Sequence, residues 1–344
     1  MKRGNRLTIG VFFICLVFVL SIIMLPSAFA KKKVTMIISG SGATVKGNHT
    51  AETFKMFKML AELYSDWEIE VKIYPQGTYG GSQQAVLAVR NGECHMFNQA
   101  SNNFAVHAAS VFPFSLPYMF DGFDQFQEMV DGPFGKVVAE RAYKESGLRI
   151  VGYHWAGWRA VSNSVKPIKN LEDMKGMKIR VPKSPTIIGT FKAWGVNPTP
   201  IGWNETFTAL QQGVADGFDN PVAVIGSFGF YEVQKYVTTL KYQPQVCVFV
   251  VNDQFWQGLC PKHKAAIELA LKDATQWEHG FVRWATEKYA TMCKEKGMIF
   301  YDLPGQEEVR WEEKARAAWP KLYDICGGKE WVERFDKAAK AAGK

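Results

Sequence analysis

The chain has 344 residues, 47% of them hydrophobic and 14% aromatic, with 41 Lys and Arg against 33 Asp and Glu. That content fills real cores and excludes a disordered or low-complexity chain. The net charge of +8 is spread without any Lys/Arg stripe interleaved with aromatics, which excludes a face that tracks nucleic acid and fits a small anionic ligand.

Lys2, Arg3 and Arg6 precede an apolar run over 7–25, and Pro26-Ser27-Ala28-Phe29-Ala30 follows. Ala28 and Ala30 supply the small-x-small pattern of an export signal, so residues 1–30 are expected to be a signal peptide cleaved after Ala30. The alternative is an uncleaved anchor. Cleavage places residues 31–344 in the periplasm and removes three cations, leaving 8 − 3 = +5.

In chain order, 34–38 reads as a strand and 50–64 as a helix, with Phe54, Phe57, Met59, Leu60 and Leu63 at three- and four-residue steps. Residues 68–74 alternate as a strand, 75–81 form a turn, 83–91 a short helix, and Met96 and Phe97 begin another strand. This β-α-β-α order predicts an α/β domain with a mostly parallel sheet. The pattern then returns with different sequence: strands at 149–153, 160–162 and 178–181, and helices at 186–194 and from Trp203. The apolar run 246–251 predicts a buried strand returning to the first domain. Residues 262–296, between Pro261 and Gly297, predict a helix long enough to run along both domains, or two helices bending near Gly280.

Several motifs carry little chemistry. Gly40-Ser41-Gly42-Ala43-Thr44-Val45 has Val45 where a dinucleotide fingerprint needs its third glycine, and Asn48-His49 replaces the Lys-Ser/Thr of a phosphate loop. No cofactor is expected. The six histidines show no metal-ligand spacing, and no nucleophile motif stands out. Beyond the leader, Cys94, Cys247, Cys260, Cys293 and Cys326 are odd in number and widely spaced, so most are expected to be buried thiols, with room for one bridge.

Two arginines stand in informative contexts. Arg159 follows Gly157-Trp158 in an aromatic stretch with Trp155, and Arg180 closes the apolar strand 178–181 ahead of Pro182, the end where α/β folds gather their sites. A guanidinium offers a planar fork to a carboxylate or sulfonate. Neutral polar side chains, Ser39, Ser41, Gln83, Asn98, Gln99 and Ser101, are candidates for a facing wall; none is acidic, so nothing there pairs an ammonium.

Gly157-Trp158-Arg159 with Lys166-Pro167-Ile168, the run 173–182, and Ala209-Leu210-Gln211 through Gly213 to Asp216-Gly217-Phe218-Asp219-Asn220-Pro221 together resemble the solute-binding proteins of tripartite ATP-independent periplasmic (TRAP) transporters. Residues 116–120 and 230–233 add to the likeness, which spans nearly all of 33–340. The resemblance implies a two-lobed α/β fold with a long shared helix, a cleft that closes by a hinge, no catalysis, and delivery of solute to membrane permease subunits. Lobe I is expected over 31–156 plus 245–284, and lobe II over 157–244 plus 285–344. The resemblance gives Arg180 the two-pronged grip on the ligand's carboxylate, with Arg159 and Asn220 assisting, and puts Trp203 on the pocket wall. Phe218 and Trp155 are further candidates for the wall, with Gln83, Gln99 and Ser39 opposite. The expected ligand is a small hydroxy- or keto-acid, a small sulfonate such as isethionate, or an aromatic acid, bound by a monomer. An exported enzyme or a sensory module acting on an organic acid is the competing reading.

Overall fold

The computed structural model describes residues 33–343, so the expected leader at 1–30 lies outside the described residues. The first lobe opens with β1 (Val34–Gly40), α1 (His49–Tyr64), β2 (Ile69–Ile73), α2 (Ser82–Arg90) and β3 (Met96–Ala100). Asn48 caps α1 by accepting from the Thr50 amide at 3.0 Å, which ends the glycine loop and starts the helix. Helices α3 (Ser101–Phe104), α4 (Phe123–Asp131) and α5 (Pro133–Ser146) lead into β4 (Leu148–Asn163). The second lobe carries α6 (Leu171–Met174), β5 (Lys178–Val181), α7 (Pro185–Ala193), β6 (Asn197–Pro200), α8 (Thr206–Gln211), β7 (Gly217–Pro221), α9 (Val222–Ser227) and β8 (Tyr236–Thr239). Then come β9 (Pro244–Asn252), α10 (Asp253–Gly258), α11 (Pro261–Glu295), β10 (Ile299–Asp302), α12 (Gly305–Arg316) and α13 (Lys329–Ala341).

The strand order is β2-β1-β3-β9-β4-β7-β5-β6, with β8 and β10 branching from β4. What sequence reading takes as two short strands, 149–153 and 160–162, is one strand of 16 residues. Its first half pairs with β9, and from Arg159 on it pairs with β7 and β8. The register slips between Trp155 and Trp158, where Gly157 sits at φ 104. That left-handed conformation favours glycine, and the bulge it permits turns the strand from one sheet into the next. Each lobe's sheet is mostly parallel, with one strand running against the rest: β9 in the first and β4 in the second. The outer pairs β1/β3, β5/β6 and β5/β7 are parallel, but β9 is antiparallel to both β3 and β4. Buried between two strands, β9 needs apolar side chains on both faces, hence the run Val246–Val251.

Helix α11 is a single element of 35 residues that starts with Pro261 in its first turn, a position where the missing N–H costs nothing. It packs on α1 in one lobe and on α9 in the other. A Cβ at Gly226 would lie 2.6 Å from the Tyr289 ring, so glycine sets how closely α9 approaches. The tail corrects one expectation. Residues 285–344 do not all belong with the second lobe. Trp311 on α12 packs there, against Trp194, but Trp319, Leu322, Trp331 and Phe335 join Phe104, Phe114, Phe126 and Val138 in the first core. Helix α13 buries its apolar face, Trp331, Val332, Phe335 and Ala339, in that first core. The five cysteines among the described residues are free, four of them buried.

Candidate functional site

The two lobes enclose a cavity of about 60 Å³, room for several waters or a compact solute. From the first lobe come Ser41, Asn48, His49, Thr50, Asn98, Asn102 and Asn103; from the second, Arg180, Pro182, Trp203, Asn220, Val224 and Phe228; from the crossing strands, Arg159, Gln245 and Cys247. Direct bonds between the lobes include Asn48 Nδ2 to Ser227 Oγ at 3.4 Å and Gln76 Nε2 to Asn204 Oδ1 at 3.0 Å beside the cleft, and Ser115 Oγ with Thr186 Oγ1 at 2.9 Å.

Arg180 stands on β5, a central strand of the second sheet, and is only 2% exposed. Its Nε and Nη2 donate to the Ile201 carbonyl at 3.0 and 2.7 Å. No carboxylate pairs with it among the described residues. Burial, opposed by Asp219 and reinforced by Arg159, pulls its pKa down to about 10. It remains a cation with Nη1 unengaged, a buried charge in need of a partner.

Arg159 is equally buried but differently placed. Its Nε donates to Asp219 Oδ2 at 2.5 Å, Nη1 to Gln245 Oε1 at 2.6 Å, and Nη2 to the Asp219 carbonyl at 2.9 Å. Burial alone would lower its pKa, but Asp219 and Tyr242 outweigh that and hold it above its ordinary value. Tyr242 also donates to Asp219. The two guanidiniums therefore do not contribute equal charge: Arg159 is neutralised in place, and Arg180 is not.

The motif 216–221 explains itself residue by residue. The Asp216 carboxylate accepts from the Lys178 amide at 2.7 Å, tying the start of β7 to β5. A Cβ at Gly217 would lie 2.1 Å from the Ser162 carbonyl, so β7 reaches β4 only with glycine there. Asp219 pairs Arg159, and Asn220 reaches the cavity with its Oδ1 unpartnered. Trp203, on a short 3-10 turn, puts its ring 5.8 Å from the Arg180 guanidinium and edge-on to Phe228 at 5.0 Å.

Five of the nine expected site residues stand elsewhere. Gln83 lines an adjoining cavity of about 310 Å³ that shares Ser41, Asn103, Arg180 and Trp203 with the first. Gln99 is fully buried and does not line the cleft, because alternation along β3 gives that position to Asn98. Ser39 is also buried and donates to the Tyr74 carbonyl at 3.1 Å, while Ser41 takes the lining position. Phe218 packs on Phe230 at 4.3 Å inside the second core. Trp155 lines a separate cavity of about 580 Å³ with Trp158, Leu240 and Val282.

Sequence reading misses a buried cluster that touches the cleft. Glu278 on α11 accepts from His154 Nδ1 at 2.7 Å and lies 3.2 Å from His49 Nδ1, while Asn98 contacts His154 Nε2 at 2.8 Å. Burial alone would discharge these groups. Instead the carboxylate is held down to about 2 and His154 is held up to about 10 by their mutual attraction, and burial keeps His49 below its ordinary value. The three lie within metal-ligand reach of one another, but the Glu278–His154 pair satisfies its own charges. No local spacing announces residues 49, 154 and 278.

A two-lobed α/β fold with an amide-lined cleft around one unpaired guanidinium defines a solute-binding protein. The chain belongs to the bacterial extracellular solute-binding proteins of family 7, which it matches over residues 41–324. It is 30% identical over 250 residues to the 2,3-diketo-L-gulonate-binding periplasmic protein of Escherichia coli, covering 72% of this chain and 76% of that one. Among solved structures, a sugar acid binding protein from Advenella mimigardefordensis in complex with galactonate superposes with a TM-score of 0.84 at 27% identity, covering 90% and 99%. A TRAP periplasmic solute binding protein from Rhodobacter sphaeroides gives 0.77 at 30%, covering 90% and 100%. The protein is a TRAP-type solute-binding protein. Family members are binding proteins that work with membrane permease components. No helix among the described residues is long and apolar enough to cross a membrane.

Proposed function

We propose that Arg180 is the anion anchor of this receptor and that its unpaired charge couples binding to lobe closure. The observation that carries the proposal is a guanidinium 2% exposed whose one hydrogen-bond partner among the described residues is the Ile201 carbonyl. Closing the empty cleft strips water from that charge at a cost. A bound carboxylate or sulfonate cancels the cost and adds charge-assisted bonds of about 1.5–3 kcal/mol each. Only the liganded form then stays shut, which is population shift by differential affinity. Arg159, held by Asp219 and Gln245, and Asn220 orient the anion; Trp203 closes the wall. The chain acts as a monomer, is released from its leader after Ala30, and hands its solute to a permease driven by an ion gradient.

A thermal-shift screen of organic acids and sulfonates tests the reading. A solute at 100 times its Kd stabilises the native state by about 2.7 kcal/mol, several degrees in melting temperature. A broad screen without any shift refutes the receptor role. His49 and Cys247 also line the cavity, the residue types that favour the enzymatic alternative. Under the receptor reading, an acid incubated with the protein is recovered unchanged by NMR.

A further inference from the structure

The charges and unpaired polar atoms of the cleft narrow the solute beyond "small organic acid". The lining holds two cations, Arg159 and Arg180, and no Asp, Glu or Lys. Asp219 neutralises Arg159. Glu278 and His154 pair with each other at 2.7 Å. Lys183 lines only the adjoining cavity, is exposed, and shares it with Glu205. One uncompensated positive charge remains, at Arg180.

The partners around that charge are neutral amides with capacity left over. The Asn220 side chain makes no hydrogen bond among the described residues, and its Oδ1 is buried. Gln245 spends Oε1 on Arg159 and keeps Nε2. Asn102 donates Nδ2 to Asn103 Oδ1 at 3.1 Å and keeps its own Oδ1. Free acceptors beside free donors match hydroxyl groups, which do both. A second carboxylate would be a buried charge facing no cation, and an ammonium would face no acid. A plain alkyl chain would leave the amides unpaired in a dry site.

Resting on the receptor reading above, we propose that the cleft selects a compact hydroxylated monoanion. Such a solute has one carboxylate or sulfonate and at least one hydroxyl, and it is preferred over dicarboxylates, amino acids and unsubstituted short-chain acids. The anionic group meets Arg180 Nη1, and the hydroxyls meet Asn220 Oδ1, Asn102 Oδ1 and Gln245 Nε2.

Titration calorimetry of the protein lacking residues 1–30 tests this with glycerate, erythronate and isethionate against butyrate, succinate and glutamate. A hydroxylated monoanion is expected to bind at least about 100-fold more tightly than the other three, since a site built to bond a hydroxyl strongly rejects the analogue without it. The carboxylate and sulfonate arms identify the anionic group. Asn220→Leu, of similar volume, is expected to weaken the best hydroxylated solute by about tenfold or more and butyrate by several-fold less than that. Misfolding would weaken both together, and a circular dichroism melt exposes it; in that case Asn220→Asp, which keeps the acceptor but adds a negative charge, replaces it and must weaken every anion. Succinate, glutamate or butyrate binding best overturns this inference and leaves the receptor reading standing. An equal loss for hydroxylated and plain acids in a folded Asn220→Leu protein also overturns it. If no acid in the broader screen binds, both fail.

Discussion

Replacing Arg180 with Met separates an anion anchor from a structural arginine, because the two roles predict different changes with and without solute. Nε and Nη2 are spent on Ile201, which leaves Nη1 to make charge-assisted bonds. Removing one partner of a buried, hydrogen-bonded charge pair costs about 2–5 kcal/mol, here about 30-fold to a few thousand-fold in Kd. The solute-free protein behaves otherwise. Burial lowers the Arg180 pKa from 12.5 to about 10, a penalty of up to about 3 kcal/mol on the closed empty form at every pH below about 10. Met lifts that penalty but strands the Ile201 carbonyl at about 1–3 kcal/mol. The two nearly cancel, so the melting temperature without solute stays within a few degrees of wild type while the solute-induced rise disappears. Calorimetry paired with thermal melts reads both quantities. An unchanged Kd refutes the argument. So does a large fall in stability without solute, which would make Arg180 a structural residue.

Other perturbations probe the supporting structure. Asp219→Asn leaves Arg159 buried and uncompensated beside Tyr242; a loss of about 3–5 kcal/mol in urea denaturation is expected, and a loss below about 1 kcal/mol would mean that the pair is not holding the hinge strands. His154 is held up to about 10 against an ordinary 6.5, so its contribution to stability is full below about pH 6.5 and is lost as pH rises toward 10. Glu278→Gln should flatten that alkaline limb, and an unfolding profile with the same slope in both proteins would contradict the assignment. Gly226→Ala drives a Cβ to 2.6 Å from the Tyr289 ring and is expected to cost about 1–3 kcal/mol through loss of α9 packing on α11; a neutral effect in chemical denaturation would show that the interface yields. Asn204→Ala removes one interlobe bond to Gln76 and should speed solute release by no more than about tenfold in stopped flow; a larger change would make this contact the main latch.

The residues within reach of sequence reading are those whose role is fixed locally. Arg180 closes a short apolar strand, so chain position points toward a site; Asn220 and Trp203 are reached only through the resemblance of their segments to TRAP solute-binding proteins. Errors arise where the answer depends on which way a side chain faces. Gln99 and Asn98 are neighbours, and a period of two gives the cleft to only one of them. Ser39 and Ser41 divide similarly, at the point where β1 gives way to its loop. Phe218 shares the cavity motif but lies deeper, against Phe230. The partnership of Arg159 with Asp219 depends on β4 and β7 being neighbours, and the His49–His154–Glu278 cluster on three elements distant in sequence. Neither leaves a trace in spacing. The placement of α13 is tertiary in the same sense: its apolar stripe must be covered, and Phe335 finds Phe114 at 4.9 Å rather than any second-lobe ring.

The most direct test is a crystal structure of the protein with the tightest acid from the screen. The account predicts closed lobes with the anionic group on Arg180 Nη1, at about 2.7–2.9 Å, and a solute hydroxyl on Asn220. An anionic group resting on Lys183 or in the Trp155 cavity, with Arg180 still bonded only to Ile201, would contradict it.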